Sequence, residues 1–128
     1  MKYLSDTHAL LWIVDRNSQL SNTAQEIYLD EDNEILISSA SIWEMAIKIS
    51  LKRLIIPGNL QEFVKEHVIG NNIQILNISL SHIHRLETLQ YHHRDPFDRL
   101  LISQAIEENI PIISSDNRFD QYGVNRIW

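Results

Sequence analysis

Tyr91-His92-His93-Arg94-Asp95-Pro96-Phe97-Asp98-Arg99-Leu100-Leu101-Ile102-Ser103-Gln104-Ala105 is the stretch on which the architecture turns. Pro96 suits the first turn of a helix, where its missing N–H costs nothing, and Asp95 before it has the chemistry of an N-cap. Leu100, Leu101, Ile102 and Ala105 then give that helix a broad apolar face. Asp98 falls in the first turn, where exposed N–H groups favour a carboxylate. Asp95 and Asp98 can thus be read as a cap and a dipole partner with no chemistry at all. The positions of the other acids decide between that reading and a site.

The helix from Pro96 is expected to end near Asn109 and to lead into a compact strand, Pro111 to Ser114, with Ser115, Asp116 and Asn117 at its end. A last strand falls within Val124 to Ile127. Toward the N-terminus, Lys2 to Ser5 is β-prone, and Asp6 and Thr7 end it. Thr7 to Val14 reads as a short helix. A second helix begins near Ser21 to Thr23, with Thr23 and Glu26 at capping-box spacing. The acidic run Asp30-Glu31-Asp32-Asn33 reads as a solvated loop. Glu34 to Ser38, with its Ile-Leu-Ile centre, reads as a strand buried on both faces. Ser39 to Leu51 reads as a helix with Glu44, Lys48 and Lys52 along a polar face. Leu60 to Ile69 is another helix, Ile73 to Ile78 a half-buried strand, and Ser79 or Ser81 the start of a helix to about Leu89. This alternation predicts an α/β fold, an α/β/α sandwich with a mostly parallel central sheet.

Composition bounds the function. A chain of 128 residues that is 44% hydrophobic is long enough for one domain with its own core, here residues 1–128. It has no cysteine, so there is no disulfide framework and no thiolate site, which fits a reducing compartment. The apolar run Ala9 to Val14 is too short to cross a membrane, and a soluble cytoplasmic protein with no membrane partner is expected. A formal charge of −6 gives no general attraction to a polyanion. Any nucleic acid bound here needs local basic groups or metal ions, and a basic protein partner is the easier inference.

In a parallel α/β sheet, ligands bind outside the carboxyl ends of the strands. Asp6 follows the first strand and Asp116 follows the fourth. Glu44 is read as lying in the first turn of the helix after the second strand. Asp98 joins them if its helix begins on the same rim. Carboxylates in one site repel, so at least one pKa rises unless a cation intervenes. Oxygen ligands select Mg²⁺ or Mn²⁺, which suit in-line displacement at a phosphodiester. Each acid also has a plainer reading: Ser41 and Glu44 as a capping box, Glu44 and Lys48 as a helical ion pair, Asp6 and Asp116 as turn residues. The four positions together point to metal-dependent phosphoryl chemistry.

Four segments carry a resemblance: Leu4 to Trp12, Ser38 to Glu44 with Ile47-Lys48, His93 to Ala105, and Ile113-Ser114-Ser115-Asp116 followed by Phe119, Tyr122, Gly123 and Val124. The chain resembles the PIN-domain ribonucleases and, within them, the VapC toxins of bacterial toxin–antitoxin pairs. The resemblance implies a PIN-like fold and a nuclease pocket at one rim of the sheet. It assigns Asp6, Glu44, Asp98 and Asp116 to catalysis and to one or two Mg²⁺ or Mn²⁺ ions, with Asp6 and Asp116 as the main direct ligands. Asp98 fits the family's Asp-x-Leu-Leu-Ile segment better than Asp95, which is left as a helix cap or a group behind the ligands. Thr7, Ser38 and Ser115 offer hydroxyls to water or phosphate, or to turns and caps. Lys48, Arg94, Arg99 and Arg118 are candidates for substrate phosphate.

The implied activity is hydrolysis of structured RNA such as tRNA or rRNA. The implied partners are a cognate antitoxin covering the acidic pocket, a second copy in a homodimer, and operator DNA reached only through the antitoxin. A housekeeping PIN-like nuclease and a catalytically inactive RNA- or protein-binding module are the alternatives. A phosphatase using Asp6 as nucleophile is disfavoured because His8 stands where a second aspartate is usual. His8, His92 and His93 are not favoured as general bases, having no carboxylate orienter visible in the sequence. Trp12, Trp43 and Phe97 are read, from their apolar helical spacing, as core or partner-contact residues rather than base-stacking platforms.

Overall fold

The computed structural model describes residues 1–128 and bears out the α/β reading. The strands are β1 (Lys2–Ser5), β2 (Glu34–Ser38), β3 (Gln74–Leu76), β4 (Ile112–Ile113) and β5 (Arg126–Ile127). They form a single sheet in the order β3-β2-β1-β4-β5, and every pairing is parallel. The helices are α1 (Thr7–Asp15), α2 (Asn22–Leu29), α3 (Ser39–Ser50), α4 (Leu60–Phe63), α5 (Leu80–Leu86) and α6 (Pro96–Glu108).

Strand alternation sorts the core into two layers. Ile35 and Ile37 of β2 and Ile113 of β4 face one side, packed with Ala9 and Leu10 of α1, Ala24 of α2, Met45 of α3 and Phe63 of α4. Leu4, Leu36 and Ile112 face the other, packed with Leu101, Ile102 and Ala105 of α6. Both faces of the central strands are therefore covered, which is why Ile35-Leu36-Ile37 reads as an unbroken apolar run.

Several boundaries differ from the sequence reading. The cap of α2 is Ser21, whose hydroxyl accepts from Ala24 N, so Thr23 lies inside the helix. Strand β2 passes into α3 with no loop: Ser38 is both the last strand residue and the cap, accepting from Ala40 N at 3.0 Å. Glu44 is thus in the second turn of α3, not the first, and Ser41 is a buried helical residue whose hydroxyl has no hydrogen-bond partner. The helix expected over Leu60 to Ile69 keeps α geometry only to Phe63. It widens into a π turn over Val64–Val68 and tightens into a 3₁₀ turn over Ile69–Asn71. Phe63 and Val68 are both buried and five residues apart, a separation that i→i+5 geometry brings onto one face. Helix α5 stops at Leu86 rather than near Leu89, whose carbonyl is taken by the Arg99 guanidinium at 3.1 Å. No helix is long and apolar enough to cross a membrane.

Candidate metal centre

The strand order fixes where a cleft can open. From β1 the chain winds outward to β2 and β3, then returns to place β4 on the other side of β1. The order reverses between β1 and β4, and their carboxyl ends leave a crevice there. Asp6 and Asp116 are the residues that leave those ends. The Ser5↔Ile113 register and the Asp6 N–H bond to the Ile113 carbonyl at 3.0 Å hold the two exits side by side. Asp6 caps α1 through Oδ1, which accepts from Ala9 N at 2.7 Å, while its side chain lines the cleft. Asp116 caps the 3₁₀ turn Asn117–Tyr122 in the same manner, accepting from Arg118 N at 3.0 Å.

Glu44 enters from α3 and is held on both oxygens. Thr7 Oγ1 donates to Oε1 at 2.8 Å, and Lys48 Nζ pairs with Oε2 at 2.9 Å from one turn further along. Asp98 enters from α6, which begins on the same rim. Asp95 caps that helix, its Oδ1 accepting from Phe97 N at 2.9 Å and Asp98 N at 3.1 Å. All four acids line one cleft of about 670 Å³, together with Asp95, Lys48 and Ser115.

His93 is the residue the sequence reading missed. It is buried, and Nε2 lies 2.8 Å from Asp116 Oδ2 and 3.2 Å from Asp98 Oδ2. Nδ1 accepts the Asp95 backbone N–H at 3.2 Å, so the ring proton sits on Nε2 and is directed at Asp116. A ring held in that tautomer is a donor between two acids, not a base. Its loop is tied down by the half-buried Tyr122 and the buried Arg99. Tyr122 Oη accepts from His92 N and His93 N at 2.9 and 2.8 Å. Arg99, 5% exposed, donates to the carbonyls of Leu89 and Gln90 at 3.1 and 2.8 Å. The Arg99 guanidinium is therefore a clamp on the loop and does not reach substrate phosphate. Ser38 likewise serves as a cap behind the cleft. Only the adjacent His92-His93 pair before Asp95 hinted at His93.

The electrostatics follow from unequal partnering. Burial pushes the Asp98 carboxyl up, and the charges of Asp95, Glu44, Asp6 and Asp116 add to it, reaching about 7. Burial also raises Asp6, against the opposing effects of Ser114, the Ala9 N–H and His8. Asp116 goes the other way: burial works to raise it, but hydrogen bonds from Arg118 and His93 overcome that and hold it at about 2. Arg118 reaches both Asp116 oxygens, with Nε at 3.0 Å from Oδ1 and Nη2 at 2.8 Å from Oδ2. One acid is thus offset by the Arg118 guanidinium and the His93 N–H, and another titrates near neutral pH. Ligand atoms of His93, Asp98 and Asp116 lie within 4.8 Å of one another. Hard oxygen donors in excess of local positive charge fit a divalent cation such as Mg²⁺ or Mn²⁺.

Trp12, Trp43 and Phe97 belong to neither apolar cluster. Trp43 is 58% exposed and meets Phe97 edge-on at 5.0 Å, while Trp12 lies on the wall of the cleft. The core alternative for these three does not hold.

The PIN domain family model matches residues 3–125. No curated protein matches the sequence at a significant level. Among solved structures, VapBC2 from Rickettsia felis, bound to a DNA fragment from its promoter, superposes with a TM-score of 0.73 at 18% identity, over 99% of this chain and 98% of that one. FitAcB from Neisseria gonorrhoeae gives 0.69 at 12% identity, over 98% and 96% of the two chains. VapBC-1 from nontypeable Haemophilus influenzae gives 0.66 at 14% identity, over 99% and 97%. At such identities the structures speak to the fold, and the family-model match over nearly the whole chain speaks to descent. The chain belongs to the PIN-domain family.

Proposed function

We propose that the chain, as a single PIN domain over residues 1–128, is a VapC-type endoribonuclease toxin that hydrolyses phosphodiester bonds in structured RNA such as tRNA or rRNA. The observation that carries this reading is the convergence of Asp6, Glu44, Asp98 and Asp116 on one cleft where the strand order reverses. These four would hold Mg²⁺ or Mn²⁺. Such an ion supplies charge neutralisation and an activated water for in-line attack at phosphorus.

The protein's own part is placement. Asp6 and Asp116, set by helix and turn caps, present oxygens from adjacent strand ends. Thr7 and Lys48 fix the Glu44 carboxylate. The Nε2 proton of His93 orients Asp116 and keeps Asp98 beside it. At the mouth, Arg94, Arg118, Lys48 and Ser115 offer donors to substrate phosphate.

A cognate antitoxin with a basic side chain would fit the acidic cleft, in keeping with the −6 net charge. The exposed Trp43–Phe97 pair suits contact with a protein, in a homodimer or with the antitoxin. Operator DNA would be contacted through the antitoxin, and the assembly would work in the cytoplasm.

The test is cleavage of tRNA and rRNA by purified protein with Mg²⁺ or Mn²⁺ and with a chelator. Wild type cuts in the presence of metal, while Asp6→Asn and Asp116→Asn do not. Equal cutting by all three would overturn the reading. Growth arrest on expression, relieved by the product of the neighbouring gene, separates a toxin from a housekeeping nuclease.

A further inference from the structure

We infer that Trp12 is a stacking platform for an unpaired nucleobase beside the acidic cleft, a deepening that rests on the nuclease reading above. Every other residue lining the cleft is charged or polar, and Trp12 is its one apolar side chain. A nucleotide has the same division, a phosphate joined to a flat ring with a π face. The cleft offers Lys48, Arg118 and, through a divalent cation, its carboxylates to the phosphate end, and one indole to the base.

The placement of Trp12 is not that of a core residue. It packs into neither apolar cluster, although its neighbours Leu11 and Ile13 pack against the one that contains Ala9 and Leu10. It is half-buried and braced by His8 and Trp128, each with ring centroids 5.8 Å away and tilted. Trp128 itself leans on the core, so the indole is backed by fixed structure. His8 and Trp12 are four residues apart on α1 and share a face. Asp6 caps the same helix, and a rise of about 1.5 Å per residue puts Trp12 roughly 9 Å further along its axis. A rigid element thus carries both a candidate metal-ligating carboxylate and an aromatic plate. Bases stack on such plates with little dependence on sequence. Single-stranded loops of structured RNA present bases that are free to do so.

The test uses full-length protein with Ca²⁺ in place of Mg²⁺ and a fluorescein-labelled unstructured octamer of uridines, read by anisotropy. Trp12→Leu keeps apolar volume without a π face and should weaken binding by about tenfold, with Trp12→Phe in between. Ribose 5-phosphate, which lacks a base, should bind wild type and Trp12→Leu alike. Octamers with one abasic position supply a cycle: at the position that stacks, wild type loses affinity and Trp12→Leu loses no more. Unchanged octamer affinity in Trp12→Leu overturns the inference, as does equal loss of ribose 5-phosphate binding. Loss confined to binding of the antitoxin makes Trp12 a protein contact and also overturns it. Should Trp12→Leu fail to fold, indifference of wild type to every abasic position overturns it. Failure of wild type to cut any RNA with any divalent metal removes the nuclease reading while leaving the stacking measurement intact.

Discussion

His93 donates from Nε2 to Asp116 Oδ2 across 2.8 Å, and its tautomer is set from behind by the Asp95 backbone N–H. Groups that orient metal-binding side chains typically alter affinity by about 10–100-fold when removed. His93→Asn preserves an acceptor near Nδ1 and loses the Nε2 donor, and should lower Mn²⁺ affinity within that range by calorimetry. His93→Gln places an amide donor near Nε2 and should lose less. Equal affinity in Asn and wild type would refute an orienting role.

Asp98 makes the metal-free protein sensitive to pH. Its folded pKa of about 7 is above the ordinary 3.8, so the stability it contributes is complete below about 3.8 and is lost as pH rises through 7. Thermal melts in chelator should therefore show falling stability from pH 5 to pH 8, and Asp98→Asn should flatten that slope. A wild-type slope no steeper than that of the variant would contradict the repulsion.

Divalent metal should reverse the trend. Mg²⁺ or Mn²⁺ binds the ionised acids, so its stabilising shift in melting temperature grows between pH 6 and pH 8 as Asp98 gives up its proton. A shift that stays constant over that interval would point to binding elsewhere.

Asp95 separates capping from coordination. Asp95→Ala should cost about 1 kcal/mol by denaturant titration, because Oδ1 serves two backbone N–H groups at the start of α6. Asp95→Asn retains that cap and removes the charge, so unchanged Mn²⁺ affinity in Asn marks Asp95 as a cap alone.

Arg99 should matter for folding more than for substrate. Arg99→Met removes the guanidinium donor from the part-buried carbonyls of Leu89 and Gln90, at about 1 kcal/mol for each bond lost. Denaturant titration should show that loss. A variant of full stability with impaired RNA binding would return Arg99 to the substrate path.

The strands and long helices were legible because their periodicities are strong. Ile35-Leu36-Ile37 and Leu100-Leu101-Ile102 announce burial, and Pro96 after Asp95 announces a helix start that the structure reproduces. Boundaries were misread where a competing local signal won: Thr23 has capping-box spacing, yet Ser21 makes the bond. The acids were nominated from their places at strand ends, but their partners were not. Arg99 looks like a phosphate-binding cation in sequence, and only the return of Leu89 to His93 across α6 shows what its donors satisfy. His93 is separated from Asp116 by 23 residues, and no short-range pattern reports that meeting.

Asp6 and Asp116 each line the cleft and each cap a helical turn through Oδ1, which ties the cleft to the architecture. Under the nuclease reading proposed above, alanine at either position would remove a metal ligand and loosen the fold at once, whereas asparagine would silence the ligand and spare the cap. Under that same reading, an inert yet well-folded decoy for trapping the proposed RNA or antitoxin would be reached through amide substitutions. Drift toward inactivity in nature faces the same asymmetry, with amides as its least disruptive exit.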